Sequence, residues 1–375
     1  MQIIADDKIL YIKGVLEEYA TVVYKSGSSI NSEDVKEADA LLVRTRTNCN
    51  KQLLENSIVK FVATATIGKD HLDTQWLDEN GIEWTNAPGC NSGSVMQYIA
   101  SVCAHLILSG TNPEKTTVGI IGVGMVGKKI EKLAKTLGFK VLLNDPPRER
   151  AEKSDKFTDF ETVISHSDVL TFHTPLITDG KDKTYHLLNL ENVKNLKKGA
   201  VVINSSRGEV TCSNALLYGL EKGIISKLVL DVWENEPQLN LELLDKVWFG
   251  TPHIAGYSAD GKANGSSMVI QALSRKFNLP LNDWEPENVP LPKNTTISKP
   301  QKDEKAIVSV AKTILETYDI DNDSKALKKN PDKFEEQRGN YPVRREFHIW
   351  KLLSRENYGD EVWGMLLGLG FKISK

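Results

Sequence analysis

Four cysteines, Cys49, Cys90, Cys103 and Cys212, are spread over 375 residues with no CxxC pair among them. That scarcity argues against a disulfide framework and against a thiolate zinc site, so no metal is expected and a reducing cytoplasm is the expected setting. An excess of one charge is also missing, since 47 basic against 50 acidic side chains leave a net charge of −3. Without a global field to favour a polyanion, nucleic acid is not expected as a partner. No apolar run approaches the roughly 18 residues of a membrane span, so no membrane partner is expected either. The opening Met1-Gln2-Ile3-Ile4-Ala5-Asp6-Asp7 is acidic and strand-like, unlike a signal peptide. Low-complexity tracts are absent. Apolar residues at 40% and charged residues at 26% exclude a wholly disordered or fibrous chain.

What the chain does have is length and rhythm. At roughly 150 residues per domain, two or three domains are expected. Over the first 280 residues short apolar runs alternate with amphipathic stretches. Strands are expected at 2–5, 21–24, 40–43 and 61–63, with helical stretches between them such as 32–38. This βαβ pattern predicts a parallel sheet covered on both faces. A second such unit starts near Thr117, where Val118-Gly119-Ile120-Ile121 reads as a strand buried on both faces. Val126, Ile130, Leu133, Ala134 and Leu137 follow at helical spacing, Gly138 ends that helix, and 140–143 is the next strand. Further strands are expected at 169–172, 201–203, 228–230 and 247–249, and the apolar stretch 91–108 reads as a helix able to bridge two domains. Pro280, Pro286, Pro290, Pro292 and Pro300 mark a semi-extended linker, because proline lacks the backbone donor that helices and central strands need. Beyond it, 305–316 is helical and apolar pieces near the end look strand-like.

Gly122-Val123-Gly124-Met125-Val126-Gly127 is a GxGxxG run placed between a buried strand and an amphipathic helix. The first glycine permits a tight turn, the second lets backbone approach a pyrophosphate, and the third allows close helix–strand packing. The helix N-terminus then offers N–H groups and a positive dipole end to phosphate. Asp145, at the end of the next strand, stands near the roughly 20-residue spacing of the acid that binds ribose hydroxyls. A carboxylate there would repel a 2′-phosphate and favour NAD, against which Arg148 and Arg150 follow closely. A glycine-rich turn with no cofactor is the competing explanation.

Three charged residues follow strands of the same unit: Arg207, Glu236 and His253. Carboxyl ends of parallel strands are where open α/β sheets bind ligands. Oxidising an alcohol releases a proton as well as a hydride, and histidine titrates near neutrality. A neighbouring carboxylate favours imidazolium and orients the ring. A guanidinium holds a substrate carboxylate in its planar fork and polarises the forming carbonyl. Each residue read singly has a plainer explanation, a solvated charge or a structural histidine, and His173 also follows a strand end.

Taken together, the glycine loop with Asp145, Asn204-Ser205-Ser206-Arg207-Gly208, Asp231-Val232-Trp233-Glu234-Asn235-Glu236-Pro237 and Thr251-Pro252-His253-Ile254-Ala255-Gly256 resemble the D-2-hydroxyacid dehydrogenase family in order and spacing. The resemblance covers roughly residues 1–280. It implies an NAD-dependent enzyme with Arg207 binding substrate, Glu236 as acid partner and His253 as proton carrier. It places Gly122, Gly124, Met125, Val126, Gly127, Asp145, Thr174, Ser206, Asp231 and Gly256 on cofactor positions. Leu42-Val43-Arg44-Thr45-Arg46-Thr47, Ala63-Thr64-Ala65-Thr66-Ile67-Gly68, Tyr257 and Asn340-Tyr341-Pro342-Val343-Arg344-Arg345-Glu346-Phe347 are similar to a branch acting on a phosphorylated 2-hydroxy acid. That likeness implies Thr45, Thr66 and Tyr257 as substrate contacts. Arg44 and Arg46 are candidates for the substrate phosphate, and as strand neighbours two apart they would share a face. Arg344 and Arg345 either reach a phosphate across a dimer or form an ordinary ion pair.

The implied fold class is α/β, two doubly wound parallel-sheet domains with a Rossmann NAD domain inserted in a flavodoxin-like substrate domain, plus a small α+β C-terminal dimerisation domain. The boundaries expected are 1–93 with 257–280 for the substrate domain, 94–256 for the NAD domain and 281–375 for the dimerisation domain, with hinges near 91–95 and 255–260. The expected partners are a small phosphorylated 2-hydroxy acid and a second copy of the chain. A dehydrogenase of the phosphoglycerate or hydroxypyruvate type, or a non-catalytic NAD-binding regulatory protein, are the alternatives.

Overall fold

A computed structural model describes residues 1–297 and 305–374. The chain forms two compact units, one of residues 1–91 with 258–291 and one of residues 92–257 with the described part of 292–375.

The first unit holds β1 (Gln2–Asp6), β2 (Thr21–Lys25), β3 (Ala40–Val43), β4 (Phe61–Thr64) and β5 (Glu83–Thr85). All pair in parallel in the order β2-β1-β3-β4-β5, the flavodoxin-like order. Every residue of β3 and β4 is buried, as expected for strands covered on both faces. Alternation along them sends Leu41, Val43 and Val62 to one apolar cluster and Leu42, Phe61 and Ala63 to the other. The second cluster recruits Val269, Ile270 and Leu273 of the helix Ala259–Phe277. Ser258 caps that helix by accepting from the Gly261 N–H. The edge strand β5 was not among the expected strands. It is only three residues long and half-exposed, too short to show a period.

The second unit holds β6 (Thr117–Ile121), β7 (Lys140–Asn144), β8 (Val169–Phe172), β9 (Ala200–Asn204), β10 (Ile225–Leu230) and β11 (Phe249–Gly250). They form a parallel sheet in the order β11-β10-β9-β8-β6-β7. The chain steps outward from β6 to β7 and then returns to β8 on the other side, so the switch point lies at the carboxyl end of β6. The helix Met125–Thr136 follows β6 and buries Ile130, Leu133 and Ala134. It ends before Gly138, whose φ of 85° suits glycine alone. Strand β11 falls later than expected because Val247 closes the helix Leu241–Lys246.

The C-terminal segment divides differently from the expected third domain: the chain leaves the first unit after residue 291, and the described residues beyond that point pack into the second. The reason is apolar periodicity. Val310, Ala311 and Ile314 of the helix Ala306–Thr317 share a cluster with Val95, Ile99 and Val102 of the helix Ser92–Leu108. The apolar pieces expected as strands near the end are mostly a helix, Asp360–Leu369, with Val362, Leu366 and Leu369 buried. Two short strands, β12 (Lys351–Leu352) and β13 (Lys372–Ile373), flank it. The proline-rich stretch carries no helix or strand through residue 297, and Pro300 lies outside the described residues.

Candidate active site

The carboxyl edge of the six-stranded sheet lines up the expected cofactor and catalytic positions in strand order: His253 after β11, Glu236 after β10, Arg207 after β9, Thr174 after β8, the glycine turn after β6 and Asp145 after β7. Gly122 has a φ of 84°, and a Cβ there would come within 2.7–2.8 Å of His173 and Thr174. Only glycine lets these two loops touch at the switch point. At Gly124, by contrast, a Cβ would meet nothing within 4 Å, so open space faces the backbone where a pyrophosphate would approach. Two buried hydroxyls on this edge, Thr174 Oγ1 and Ser205 Oγ, have no hydrogen-bond partner among the described residues. Open glycine backbone and orphaned hydroxyls fit a dinucleotide. Asp145 caps the helix Pro146–Glu152, accepting from the Arg148 N–H, and its other oxygen accepts from the Val123 N–H at 2.8 Å. Arg148 turns back to the Val123 carbonyl and pairs with Glu152, so its charge is already engaged.

The three charged residues are brought together by their loops. Asn204, at the end of β9, accepts from the Ser206 N–H and hydroxyl and donates to the Arg207 carbonyl at 2.8 Å, which fixes the turn carrying Arg207. Gly208 lies against the next loop, since a Cβ would sit 2.1 Å from the Trp233 carbonyl carbon. Glu236 accepts from the Trp233 N–H at 3.1 Å through one oxygen and pairs with Nδ1 of His253 through the other. Burial pushes the Glu236 carboxyl up, but the bonds from His253 and Trp233 and the charge of Arg338 outweigh it and hold it below the ordinary range. His253 has a φ of 55°, a conformation that costs energy for a non-glycine residue. His173 has a different environment: its Nε2 meets Thr171 Oγ1 at 2.9 Å, and burial pushes it down to about 3.

Asp231 holds the strained histidine loop. Its carboxylate accepts from the Thr251 hydroxyl and from the N–H groups of Ile254 and Ala255 at 2.7–2.9 Å. Tyr98 extends this network to Thr251, and Trp233 donates its indole N–H to the Thr251 carbonyl. Arg344 grips the same peptides from the other side, donating to the carbonyls of Ile254 and Ala255. It is buried and stacked on Tyr318, so neither a phosphate across a dimer nor a solvated pair describes it. Sequence reading missed Tyr98, Asn204 and this role of Arg344. No local pattern marks a tyrosine in a helix that reaches a loop 153 residues away.

In the first unit, Arg44, Thr45 and Arg46 lie past the end of β3 in a turn, so strand alternation does not place them. Arg44 donates to the Lys8 carbonyl at 3.1 Å, where the loops after β1 and β3 meet at that sheet's own switch point. Thr66 follows β4 and bonds Thr64 and the Gly68 carbonyl. Gly256 and Tyr257 close the histidine loop, with Tyr257 N–H donating to Ile254. Where no metal was expected, one donor group exists among the described residues: His186, Cys212 and Glu234, within 4.8 Å of one another. Glu234 there is already held by His186 and the Ser213 N–H.

Residues 97–255 match the model of the D-isomer specific 2-hydroxyacid dehydrogenase NAD binding domain, and residues 289–363 match a domain of unknown function, DUF3410. The erythronate-4-phosphate dehydrogenase of Bacteroides thetaiotaomicron is 48% identical over 94% of this chain and 99% of that relative. The chain belongs to the erythronate-4-phosphate dehydrogenase family. The Escherichia coli O1:K1 member of that family is 40% identical, with 92% of each chain covered. The fold of the family's dehydrogenase portion recurs in solved structures. D-lactate dehydrogenase from Aquifex aeolicus, complexed with NAD and lactic acid, aligns with a TM-score of 0.60 at 23% identity, covering 74% of this chain and 95% of that one. D-2-hydroxyisocaproate dehydrogenase aligns with a TM-score of 0.59 at 25% identity, covering 74% and 97%. The expected α/β fold class and NAD as cofactor stand on these matches.

Proposed function

We propose that the chain oxidises the C2 hydroxyl of 4-phospho-D-erythronate to 3-hydroxy-2-oxo-4-phosphooxybutanoate, reducing NAD to NADH, on the route to pyridoxal 5′-phosphate (vitamin B6). The observation that carries the chemistry is the placement of Arg207, Glu236 and His253 on loops of three neighbouring strands, beside the glycine turn. The substrate rests on relatives 40–49% identical over nearly their whole length.

NAD, when bound, supplies the hydride acceptor. Gly122, Gly124, Met125, Val126 and Gly127 would hold its pyrophosphate, and Asp145 its ribose. Thr174, Ser206, Asp231 and Gly256 complete that surface. Arg207 grips the substrate carboxylate and the C2 oxygen through its planar fork. His253 removes the hydroxyl proton at Nε2, since its Nδ1 is committed to Glu236. Glu236, held ionised, fixes the ring and stabilises the imidazolium that forms. Arg44, Thr45, Arg46, Thr66 and Tyr257 supply further substrate contacts. The active form is a cytoplasmic homodimer assembled through residues 281–375, and among the described residues no helix is long and apolar enough to cross a membrane. Steady-state kinetics test the assignment. We expect a higher kcat/KM for 4-phosphoerythronate than for D-3-phosphoglycerate or hydroxypyruvate, and the reverse order would sink it.

A further inference from the structure

We propose that Arg338 binds the phosphate group of the substrate, so that the C-terminal segment completes the anion site of the dehydrogenase. The inference rests on the function proposed above and assigns a role to a segment matched by DUF3410, a domain of unknown function.

Arg338 lies on the helix Phe334–Gly339. Its Nη2 donates to the Tyr257 hydroxyl at 3.2 Å, and its guanidinium carbon stands 5.6 Å from the Tyr257 ring centroid. Tyr257 directly follows the loop that carries His253. The charge of Arg338 is also felt at Glu236, which it helps to keep ionised. Arg338 therefore stands beside the catalytic pair and not on a remote face.

Its hydrogen bonds are incomplete. Nη1 pairs with Glu335 at 3.0 Å, but Nε is buried and has no hydrogen-bond partner among the described residues. Leaving a buried N–H of a cation unsatisfied is costly, and such groups persist where a ligand satisfies them. The Glu335 pair does not account for the placement. It joins residues three apart on one short helix, and Glu335 is 43% exposed, so solvent screens it. The free Nε–H offers one arm of the fork that suits a phosphate.

The substrate chemistry asks for such a group. Phosphoerythronate carries two anionic ends, and Arg207 serves the carboxylate. D-lactate dehydrogenase and D-2-hydroxyisocaproate dehydrogenase, named for unphosphorylated acids, align over 95–97% of their own length while covering 74% of this chain. A phosphate-binding cation contributed by the additional chain is consistent with that difference in length.

The test uses the full-length enzyme with NAD and compares wild type, Arg338→Gln and Arg338→Lys. Arg338→Gln is expected to raise KM for 4-phosphoerythronate about 10- to 100-fold with kcat changed by less than about threefold, the loss of one charged hydrogen bond. Turnover of unphosphorylated D-erythronate should fall far less than that of 4-phosphoerythronate, since any loss through the Arg338 charge felt at Glu236 falls on both substrates alike, and Arg338→Lys, which keeps the charge, should recover part of the KM. In parallel, calorimetric titration of inorganic phosphate into the NADH-loaded enzyme should show weaker binding to Arg338→Gln. Equal losses with both substrates, or phosphate binding unaffected by either substitution, would overturn the proposal and leave Arg338 a packing residue. Wild-type enzyme inactive on 4-phosphoerythronate would defeat the function proposed above, while the phosphate titration would still decide the role of Arg338.

Discussion

His253 occupies a backbone conformation that costs energy, and three groups hold it there: Asp231 on the N–H side of the following peptides, Arg344 on their carbonyl side and Glu236 on the ring. This division of labour separates positioning from proton transfer. Replacing His253 by Asn should lower kcat by about 10²–10⁴ while NADH binding, followed by fluorescence titration, stays within a factor of two. Unchanged turnover would mean that another group carries the proton. His173 makes the opposite prediction, one of stability. Burial pushes it from 6.5 to about 3, so the native state binds fewer protons than the unfolded state between those values. Stability linked to His173 is therefore complete above about pH 6.5 and is lost as pH falls toward 3. His173→Asn should remove that slope. Urea unfolding at pH 7.5 and 5.5 should show wild type losing about 1.4 kcal/mol in total relative to the variant. The strand-end rule alone left the two histidines level. What separates them is the carboxylate across the loop, Glu236, which the family resemblance implied and the fold sets against Nδ1 of His253.

At the scale of elements, the loops after β9, β10 and β11 are fitted to one another through backbone contact. Gly208 is the clearest case, because any side chain there meets the Trp233–Glu234 peptide. Gly208→Ala should push the Arg207 turn away from the Glu236 loop and cost about 10²-fold in kcat/KM, since misplacement by an ångström has that effect. The NADH dissociation constant should move little, and full activity would show that the loops are not coupled. The buried strands were legible because both sheets are parallel and covered on both faces, so runs such as Ala40-Leu41-Leu42-Val43 and Val118-Gly119-Ile120-Ile121 announce themselves. The glycine turn and the three charged loop residues were legible for the same reason, each sitting where a recognisable strand ends. Short and half-exposed elements carried no such signal. Strand β5 has three residues, and the helix Pro146–Glu152 buries none of its own. Edge protection was equally hidden: Ser324 accepts from the Gly250 N–H and Lys328 donates to the Val247 carbonyl, so the helix Ile320–Lys329 covers the open side of β11.

At the scale of the molecule, the decisive difference from the sequence reading concerns the C-terminal segment. A chain end that follows a proline-rich stretch invites the expectation of a separate domain. The packing ties that segment closely to the second unit, because the helix Ser92–Leu108 has no polar face to give to solvent. Its Gln97 and Ser101 are buried and bond the C-terminal segment directly, Gln97 to Thr317 and the Arg345 carbonyl, Ser101 to the Ile320 N–H. Val95, Ile99 and Val102 share one apolar cluster with Val310, Ile314, Phe347, Trp350 and Leu366. Removing residues 292–375 would uncover that cluster, leave the two buried polar side chains unpaired and release Arg344 from the histidine loop. We expect the truncated chain to melt more than about 10 °C below the full one by calorimetry, far beyond a single-site effect. It should also lose turnover even where NADH still binds, because the glycine turn does not depend on Arg344 while the strained loop does. A truncated chain that kept the melting temperature and the activity of the full one would show the segment to be an independent appendage, as the proline-rich stretch alone suggests.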